Sequence, residues 1–358
     1  MKLYLFSIFL ISVIALNGQS LDQIQDIHIE VNEEDNPLFT KDKIWRGADG
    51  AASIDLENGN VLWLFSDTFI DTQATGKRIN SIMINNSIAI QEGYDMELAK
   101  ISFYYKGSQK KPKSFFELPG KTWFWTGHGT LIKDKLIVFL FEEMNTKAGI
   151  GFEAIGWYVA IIDNPFENPL NWNIKYIKSP ETFGVIVGSS AVIKDKNFIY
   201  AYGVTEPSSH EVYLLRMPID KLMDGNVIDL EWWVGSGWEN RIAKYPVLSP
   251  LFIGQTEFSV HYQPNLNQYV QIQTYGFGHA SIGYRLAYQP EGPWSIPVIF
   301  YKPHLKSQQE FVYSANAHPE LIADGILVTY NVNTGDFGEL VRNEDIYFPK
   351  FLRIKLSK

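Results

Sequence analysis

Two aspartates, Asp49 and Asp67, stand 18 residues apart in the segment WRGADGAASIDLENGNVLWLFSDTF, which spans residues 45–69. Runs of strand-forming residues flank the sequence Glu57-Asn58-Gly59-Asn60, and Asn-Gly tolerates the positive φ that tight hairpin turns need. The segment therefore predicts a β-hairpin with one carboxylate near the far end of each strand. Two carboxylates on one face are the groups that break glycosidic bonds.

The length of the turn decides whether the two carboxylates meet. A three-residue loop with Gly59 in the left-handed region sets Asp49 directly opposite Asp67. A two-residue loop offsets the two residues by one position and points them to opposite faces. In a purely structural alternative, Asp67 caps a turn with Thr68 and Asp49 binds local backbone amides. The hairpin sequence alone leaves these alternatives open.

The N-terminal sequence MKLYLFSIFLISVIALNGQS has one lysine before an apolar run at residues 3–16. This pattern predicts a signal peptide over residues 1–18 and an exported protein, which would be periplasmic, on the cell surface or extracellular. No later segment approaches about 18 uninterrupted apolar residues, so we expect no stable membrane insertion. The chain has no cysteine, which excludes disulfides and a lipid-modified cysteine.

The charge and the aromatic content narrow the choice of partners. A net charge of −9 argues against nucleic acid, since binding to phosphates is driven by lysine and arginine. Aromatic residues make up 15 % of the chain, which suits both β-sheets and stacking on sugar faces. A polysaccharide or oligosaccharide partner is compatible with this composition, which does not separate sugar stacking from the structural use of aromatic residues.

One unit recurs along the chain: a small or polar start, a short strand, a tight turn and a strongly apolar strand. The turns of its five copies centre near residues 58, 134, 195, 265 and 324. This spacing is long enough for a four-stranded blade and too long for a helical solenoid repeat. Helical periodicity is absent apart from short turns predicted at residues 95–100 and 217–224. The pattern predicts an all-β fold, a five-bladed β-propeller.

The alternative fold is a β-sandwich followed by a second β domain. The propeller is favoured because the copies span the mature chain with no linker of low complexity. The predicted organisation is a signal peptide at residues 1–18, a lead-in at 19–39 and the propeller at 40–358.

In a propeller the first strand of each blade lines the central channel, so the starts of the five first strands converge on one mouth. The ionisable and hydroxyl residues at these starts are Asp49, His128, Ser189 with Ser190, Glu257, and His318 with Glu320. Clustered ionisable groups in a concave site are typical of acid–base chemistry. The sequence carries no recognisable metal-binding or phosphate-binding motif, so no cofactor or metal is predicted.

Several segments together resemble an exported bacterial family of glycosidase-like five-bladed propellers, most of whose members are labelled only as a domain of unknown function. The segments are GADGAASIDLENGNVLWLFSDT, TGHGT, YGVTE, EFSV, GPWS, AHPEL and TYNVN, and the match covers about residues 40–355. Some relatives hydrolyse arabinofuranosyl polymers with the two acids of the opening hairpin, a role that the resemblance implies for Asp49 and Asp67. The chain has Ser66 where the common form, LFGDT, has glycine.

The leading hypothesis is a hydrolase of furanosyl or related glycosidic bonds, in which the more desolvated aspartate is the acid. A second hypothesis is a non-catalytic glycan-binding propeller, and a third is a structural or protein-binding propeller. Directly opposed strand residues favour the short carboxylate separation of a retaining enzyme.

Trp45 and Trp125 precede the first strands of blades one and two and are candidate sugar platforms, with inter-blade packing as the alternative. The other candidate substrate-binding residues are His128, Ser189, Glu206, Glu257, His318 and Glu320.

Overall fold

The computed structural model describes residues 28–34, 38–147, 149, 151–179, 183–206, 209–240 and 248–357. The predicted signal peptide and most of the predicted lead-in lie outside these residues. The described residues form five antiparallel sheets of four or more strands, and the first inner strand of each sheet contacts the inner strands of two neighbouring sheets. These contacts close a ring, so the predicted five-bladed β-propeller is confirmed.

The strands follow one another in blade order. The first described strand is β1 (His28–Glu34), and blade one contains β2 (Trp45–Asp55), β3 (Asn60–Asp71), β4 (Ser81–Ile84), β5 (Ser87–Glu92) and β6 (Lys100–Tyr104). A small hairpin follows, formed by β7 (Lys106–Ser108) and β8 (Lys111–Lys113). Blade two contains β9 (Trp123–Ile132), β10 (Lys135–Asn145), β11 (Phe152–Ile162) and β12 (Ile174–Lys178).

The remaining three blades keep the same order from the channel outward. Blade three contains β13 (Val185–Lys194), β14 (Phe198–Thr205), β15 (Glu211–Pro218), β16 (Glu231–Trp233), β17 (Trp238–Asn240) and the short β18 (Phe252–Ile253). Blade four contains β19 (Ser259–Gln263), β20 (Gln268–Tyr275), β21 (Ser281–Ala287) and β22 (Val298–Tyr301). Blade five contains β23 (Glu310–His318), β24 (Ile326–Thr334), β25 (Lys350–Ser357) and β1.

The N-terminal strand β1 completes blade five. It pairs antiparallel with β25 from His28↔Ser357 to Glu34↔Phe351, and Ile29 and Val31 pack on the blade core. The sequence prediction placed this segment in a lead-in outside the propeller, which is wrong for residues 28–34. The pairing covers the edge of β25, which would otherwise expose unpaired backbone groups.

Helices are few and short among the described residues. They are α1 (Ile219–Met223), α2 (Phe337–Arg342) and single 3₁₀ turns at Arg78–Asn80 and Pro169–Asn171. Helix α1 lies within the predicted turn at 217–224, whereas residues 95–100 form a non-helical turn. None of the described helices is long and apolar enough to cross a membrane.

Five hydrophobic clusters hold the ring together, one at each interface between neighbouring blades. Trp157 of blade two and Leu215 of blade three share one cluster, for example, and Trp63 of blade one and Phe351 of blade five share another. Hydrogen bonds between neighbouring inner strands join residues in the same order along both strands. Ser314 of β23 bonds Gly50 of β2, and further along both strands His318 bonds Ser53. The inner strands are therefore parallel to one another, and all five begin at the same end of the channel. We call this end, where Asp49 lies, the channel mouth.

Candidate active site

The opening hairpin, β2–β3, adopts the register that opposes the two aspartates. Leu56 N–H donates to the Asn60 oxygen at 3.0 Å around a three-residue loop, and Gly59 has φ +88°. The backbone pairs Asp55↔Val61 and Ala48↔Thr68 are in step with each other, although the pairing shifts twice between Ala52 and Ala48. Asp49 and Asp67 thus lie on facing strands, close enough for the charge of Asp67 to raise the pKa of Asp49. Irregular pairing between Ala48 and Gly50 marks a bulge beside the two residues. The three-residue alternative is therefore confirmed.

Asp49 is half-buried and is held by two tyrosines from blade five. Its Oδ2 atom accepts hydrogen bonds from the hydroxyls of Tyr313 (2.9 Å) and Tyr347 (3.2 Å). Its Oδ1 atom is buried and has no hydrogen-bond partner among the described residues. Burial, followed by the charges of Asp67 and Glu257, raises the pKa of Asp49 well above its usual range.

Asp67 is also half-buried, and its partner comes from blade two. Trp125 donates its indole N–H to Asp67 Oδ1 at 2.9 Å. Burial raises the pKa of Asp67 to about 6, although the hydrogen bonds from Trp125 and Asn85 oppose the shift. The Tyr347 hydroxyl lies 3.1 Å from the Asp67 backbone oxygen and so connects the two aspartates. Since Trp125 and the two tyrosines come from other blades, local capping alone does not explain either carboxylate.

The segment that carries Tyr347 is fixed by a buried arginine. Arg78 donates hydrogen bonds to the backbone oxygens of Leu340 (2.6 Å), Asn343 (2.8 Å) and Ile346 (2.7 Å). Gly47, with φ +109°, lets this segment approach, because a Cβ there would lie 2.3 Å from the Tyr347 oxygen. A residue 280 positions after Asp67 is thereby brought against it.

Glu257 and Glu143 add two more carboxyl groups near the pair. The charge of Glu257 contributes to the raised pKa of Asp49, and burial raises the pKa of Glu257 itself to about 7. Glu143 is 2 % exposed, and its Oε2 atom has no partner among the described residues. Burial, then the charges of Glu206 and Asp67, raises the pKa of Glu143 to about 8. The channel mouth therefore holds protonated and ionised carboxyl groups side by side at neutral pH.

Glu206 and Trp125 are brought to this end of the channel, as the sequence analysis expected. Glu206 accepts a hydrogen bond from the Thr256 hydroxyl and lies 3.5 Å from His210 Nε2. Trp125 is half-buried, and its ring meets Phe152 at a centroid distance of 4.7 Å. Their predicted contacts with substrate remain predictions.

Other candidates lie elsewhere. Trp45 is fully buried, binds the Ser87 hydroxyl and stacks on Phe103 at 4.3 Å, so it packs the core and cannot serve as a sugar platform. Ser189 is 3 % exposed, and its hydroxyl donates to the Ile186 oxygen at 2.9 Å. This hydroxyl therefore already donates its proton to a backbone oxygen of its own strand.

His128, His318 and Glu320 lie toward the opposite end of the channel from Asp49. His318 is the last residue of β23, whereas Tyr313, five residues earlier, is level with Asp49. His128 bonds Ser53, four residues beyond Asp49. The prediction that these three side chains share the mouth with Asp49 is wrong, because it took the start of each repeat as the start of each strand.

Sequence reasoning missed Glu143, Tyr313 and Tyr347. Glu143 had a usable signal, since it follows the apolar run of β10 in the way that Asp67 follows that of β3. Tyr347 had none, because it comes from an irregular connection between β24 and β25. Among the described residues, no three His, Cys, Asp or Glu side chains form a group suited to a metal ion.

Replacing Glu143 by glutamine is expected to stabilise the protein near neutral pH. The folded state holds the Glu143 proton up to a pKa of about 8, whereas an unfolded glutamate releases it near 4.5. Wild-type stability therefore falls as pH rises through this window, and a neutral glutamine avoids the loss. We expect the free energy of unfolding at pH 8 to rise by about 1–3 kcal/mol, with no gain at pH 4.

Urea unfolding of the Glu143→Gln variant at several pH values measures this difference. Glu142→Gln is the matched control. Glu142 forms an ion pair with Lys178 at 2.7 Å, so its substitution should lower the free energy of unfolding at neutral pH. Equal stability of Glu143→Gln and the wild type at every pH would contradict a protonated Glu143.

Residues 32–356 match the family described as "Domain of unknown function (DUF5005)". The chain belongs to the DUF5005 family. No functionally curated protein matches the sequence.

Solved structures related to this DUF5005 chain share its propeller fold. A crystal structure of a candidate hydrolase from Bacteroides ovatus is 20 % identical, with a TM-score of 0.74 over 91 % of this chain and 90 % of that one. A xylan β-1,4-xylosidase from Bacillus halodurans is 9 % identical, with a TM-score of 0.50 over 90 % of this chain and 54 % of that one. The DUF5005 chain thus spans about half the length of that xylosidase. A GH43_1 enzyme from Xanthomonas citri in complex with xylotriose is 11 % identical, with a TM-score of 0.47 over 87 % of each chain.

Proposed function

We propose that the protein is an exported glycoside hydrolase that cleaves arabinofuranosyl or related glycosidic bonds, with Asp49 as the acid and Asp67 as the nucleophile or base. The observation that carries the proposal is the opposed pair itself. Two carboxyl groups from one hairpin interact electrostatically at the channel mouth, one with a pKa well above the usual range and one with a pKa of about 6. Environments that drive two pKa values apart are what separates an acid from a base.

The hydrogen bonds around the pair support this division of roles. Burial raises the pKa of Asp49 and so favours its protonated form, while Tyr313 donates to Oδ2 and Tyr347 divides one hydroxyl proton between Oδ2 and the Asp67 backbone oxygen. Asp49 is then ready to protonate the leaving oxygen of a glycosidic bond. Asp67, whose negative charge is stabilised by the Trp125 indole, attacks the anomeric carbon or activates water above pH 6. The opposed register favours the retaining arrangement, in which Asp67 is the nucleophile.

The substrate assignment rests on the resemblance of the opening hairpin to glycosidase-like propellers. The test is the release of reducing sugar from a panel of arabinans, arabinogalactans and other furanoside-rich glycans, with xylo-oligosaccharides as a second arm. Wild type is compared with Asp49→Asn and Asp67→Asn. Release that both substitutions abolish in folded protein is the expected result. No release, with glycan binding that survives both substitutions, would identify a non-catalytic glycan-binding propeller instead.

The acidic limb of the pH profile is expected near the pKa of Asp67. Protonation removes the nucleophile, so kcat/KM should fall about tenfold per pH unit below pH 6. Trp125→Phe removes an indole N–H that lowers the pKa of Asp67. Its acidic limb should therefore shift to higher pH by about 0.5–1 unit, as expected for one lost hydrogen bond to a charged group.

The pH dependence of kcat/KM for the two proteins measures this shift. Trp123→Phe is the matched control, because its indole nitrogen has no partner among the described residues. An acidic limb that stays in place in Trp125→Phe would show that Asp67 is not the group that titrates.

A further inference from the structure

A second cavity opens at the other end of the channel. It has a volume of about 310 Å³, and we call it the far pocket; it is lined by Ser53, His128, Lys194, His261, Tyr262 and Glu320, among others. Ser53 is four residues beyond Asp49 on β2, which corresponds to about 13 Å along a strand. None of the carboxylates at the channel mouth lines the far pocket.

His261 lines the far pocket, and the hydrogen-bonding capacity of its ring is not satisfied by the fold. It is 7 % exposed, and neither ring nitrogen makes a hydrogen bond of standard geometry with the described residues, although the Gln263 side chain lies close enough to raise the pKa of the ring slightly. Burial lowers the pKa of His261 to about 4, so the ring is neutral at pH 7 and offers one N–H donor and one nitrogen acceptor. A buried polar group without a partner is rare in a folded protein and calls for a ligand or water.

Two neighbouring histidines show what a purely structural role looks like here. His128 Nε2 lies 3.0 Å from the Ser53 oxygen, and its Nδ1 accepts from Val192 N–H at 3.0 Å. His318 contacts the Ser53 hydroxyl at 2.5 Å and the Thr329 hydroxyl at 2.8 Å. Both rings thus bond a neighbouring blade, whereas among the described residues the His261 nitrogens have only the Gln263 side chain of their own strand nearby.

Glu320 and two tyrosines complete the chemistry of the far pocket. Glu320 Oε1 is a second buried atom without a partner of standard geometry among the described residues, although the Ser53 side chain interacts with the same carboxyl group. Tyr262 is 45 % exposed, and its ring meets that of Tyr269 edge-on at 5.4 Å. The cavity therefore combines a donor, acceptors and aromatic walls, which together match a hydroxyl-bearing ring with an apolar face.

The charge of the far pocket excludes anionic ligands. Its lining includes the acidic residues Asp55, Glu57, Asp195 and Glu320. Lys194 is the lining cation, and its ammonium group already bonds Glu57 Oε1 (3.1 Å) and the Leu131 oxygen (2.8 Å). Phosphate groups and uronic acids would therefore meet repulsion, and a neutral ligand is favoured.

We propose that the far pocket is a second, non-catalytic site that binds one neutral sugar unit, with His261 and Glu320 bonding its hydroxyls and Tyr262 packing on its ring. The inference is independent of the proposed hydrolase, because the two sites share no residue. A propeller with a sugar site at each end would bind one glycan chain in the far pocket while the channel mouth cleaves another.

Saturation-transfer NMR and calorimetry test the proposal on the full chain carrying Asp67→Asn, which removes turnover. The probes are L-arabinose, D-xylose and D-galactose, with D-glucuronate as the anionic comparison. Tyr262→Ala and His261→Gln are each added to this background, and Tyr288→Ala, which removes a 61 % exposed tyrosine outside the far pocket, is the matched control.

We expect binding of at least one neutral sugar, weakened tenfold or more by Tyr262→Ala and by His261→Gln and unchanged by Tyr288→Ala, with little binding of glucuronate. Because Tyr262 is exposed, its variant stays informative even if His261→Gln fails to fold. Absence of binding by all three neutral sugars would overturn the proposal, as would sugar binding that Tyr262→Ala leaves unchanged.

Discussion

Asp67→Asn is expected to lower kcat on the glycan substrate by at least about 10³-fold, because an amide can neither attack the anomeric carbon nor activate water. The same variant should be more stable than the wild type above pH 6. Burial raises the pKa of Asp67 to about 6, so ionisation at higher pH costs the fold free energy that a neutral asparagine does not. A substitution that lowers activity but raises stability indicates that the original side chain serves function at a cost in stability.

Steady-state kinetics and urea unfolding at pH 7.5 measure the two effects of Asp67→Asn. Asp134→Asn is the matched control, since Asp134 is an exposed aspartate in the turn between β9 and β10. Its activity and stability should equal those of the wild type. Activity retained by Asp67→Asn, in protein whose fold is intact, would remove Asp67 from the mechanism.

Arg78→Met should cause the largest loss of stability, about 3–5 kcal/mol, because it leaves buried carbonyl oxygens without a donor. Arg78 is 1 % exposed and bonds four backbone oxygens, those of Arg46, Leu340, Asn343 and Ile346. Its guanidinium also faces the rings of Phe69, Tyr347 and Phe348. Activity should fall as well, since Tyr347 depends on this segment for its position beside Asp49.

Urea unfolding of Arg78→Met gives the free energy directly. Arg342→Met serves as the matched control, because Arg342 is exposed at the end of α2, and its variant should stay within about 0.5 kcal/mol of the wild type. An Arg78→Met protein as stable as this control would mean that the 340–347 segment holds its place without the arginine.

The sequence was sufficient for the ring of blades and for the opposed aspartates, because both depend on local patterns. Strand–turn–strand units recur at blade spacing, and the turn at Gly59 sets the register as far as Ala52, beyond which two register shifts precede Ala48. Contacts between segments far apart in the sequence could not be predicted. The pairing of His28 with Ser357 and the bond from Tyr347 to Asp49 join residues about 300 positions apart, and no periodicity in either segment indicates its partner.

The two tryptophans show a second reason why sequence reasoning failed in part. Trp45 and Trp125 stand at similar places in their repeats, yet Trp45 is buried between blades one and five and Trp125 faces Asp67. Successive strand residues point to opposite faces, so a bulge or a shift by one residue exchanges core and channel. The bulges near Ala48 and Val138 are visible only in the structure.

The division of roles between Asp49 and Asp67 is the central claim, and the dependence of kcat/KM on the leaving group tests it most directly. The substrates are two glycosides of the sugar identified by the glycan panel, one with a dinitrophenyl and one with an alkyl leaving group. Asp49→Asn should lose about 10²–10⁴-fold on the alkyl glycoside but tenfold or less on the dinitrophenyl glycoside, which departs without a proton. Asp67→Asn should lose activity on both. Equal losses on both substrates for Asp49→Asn would contradict its role as the acid.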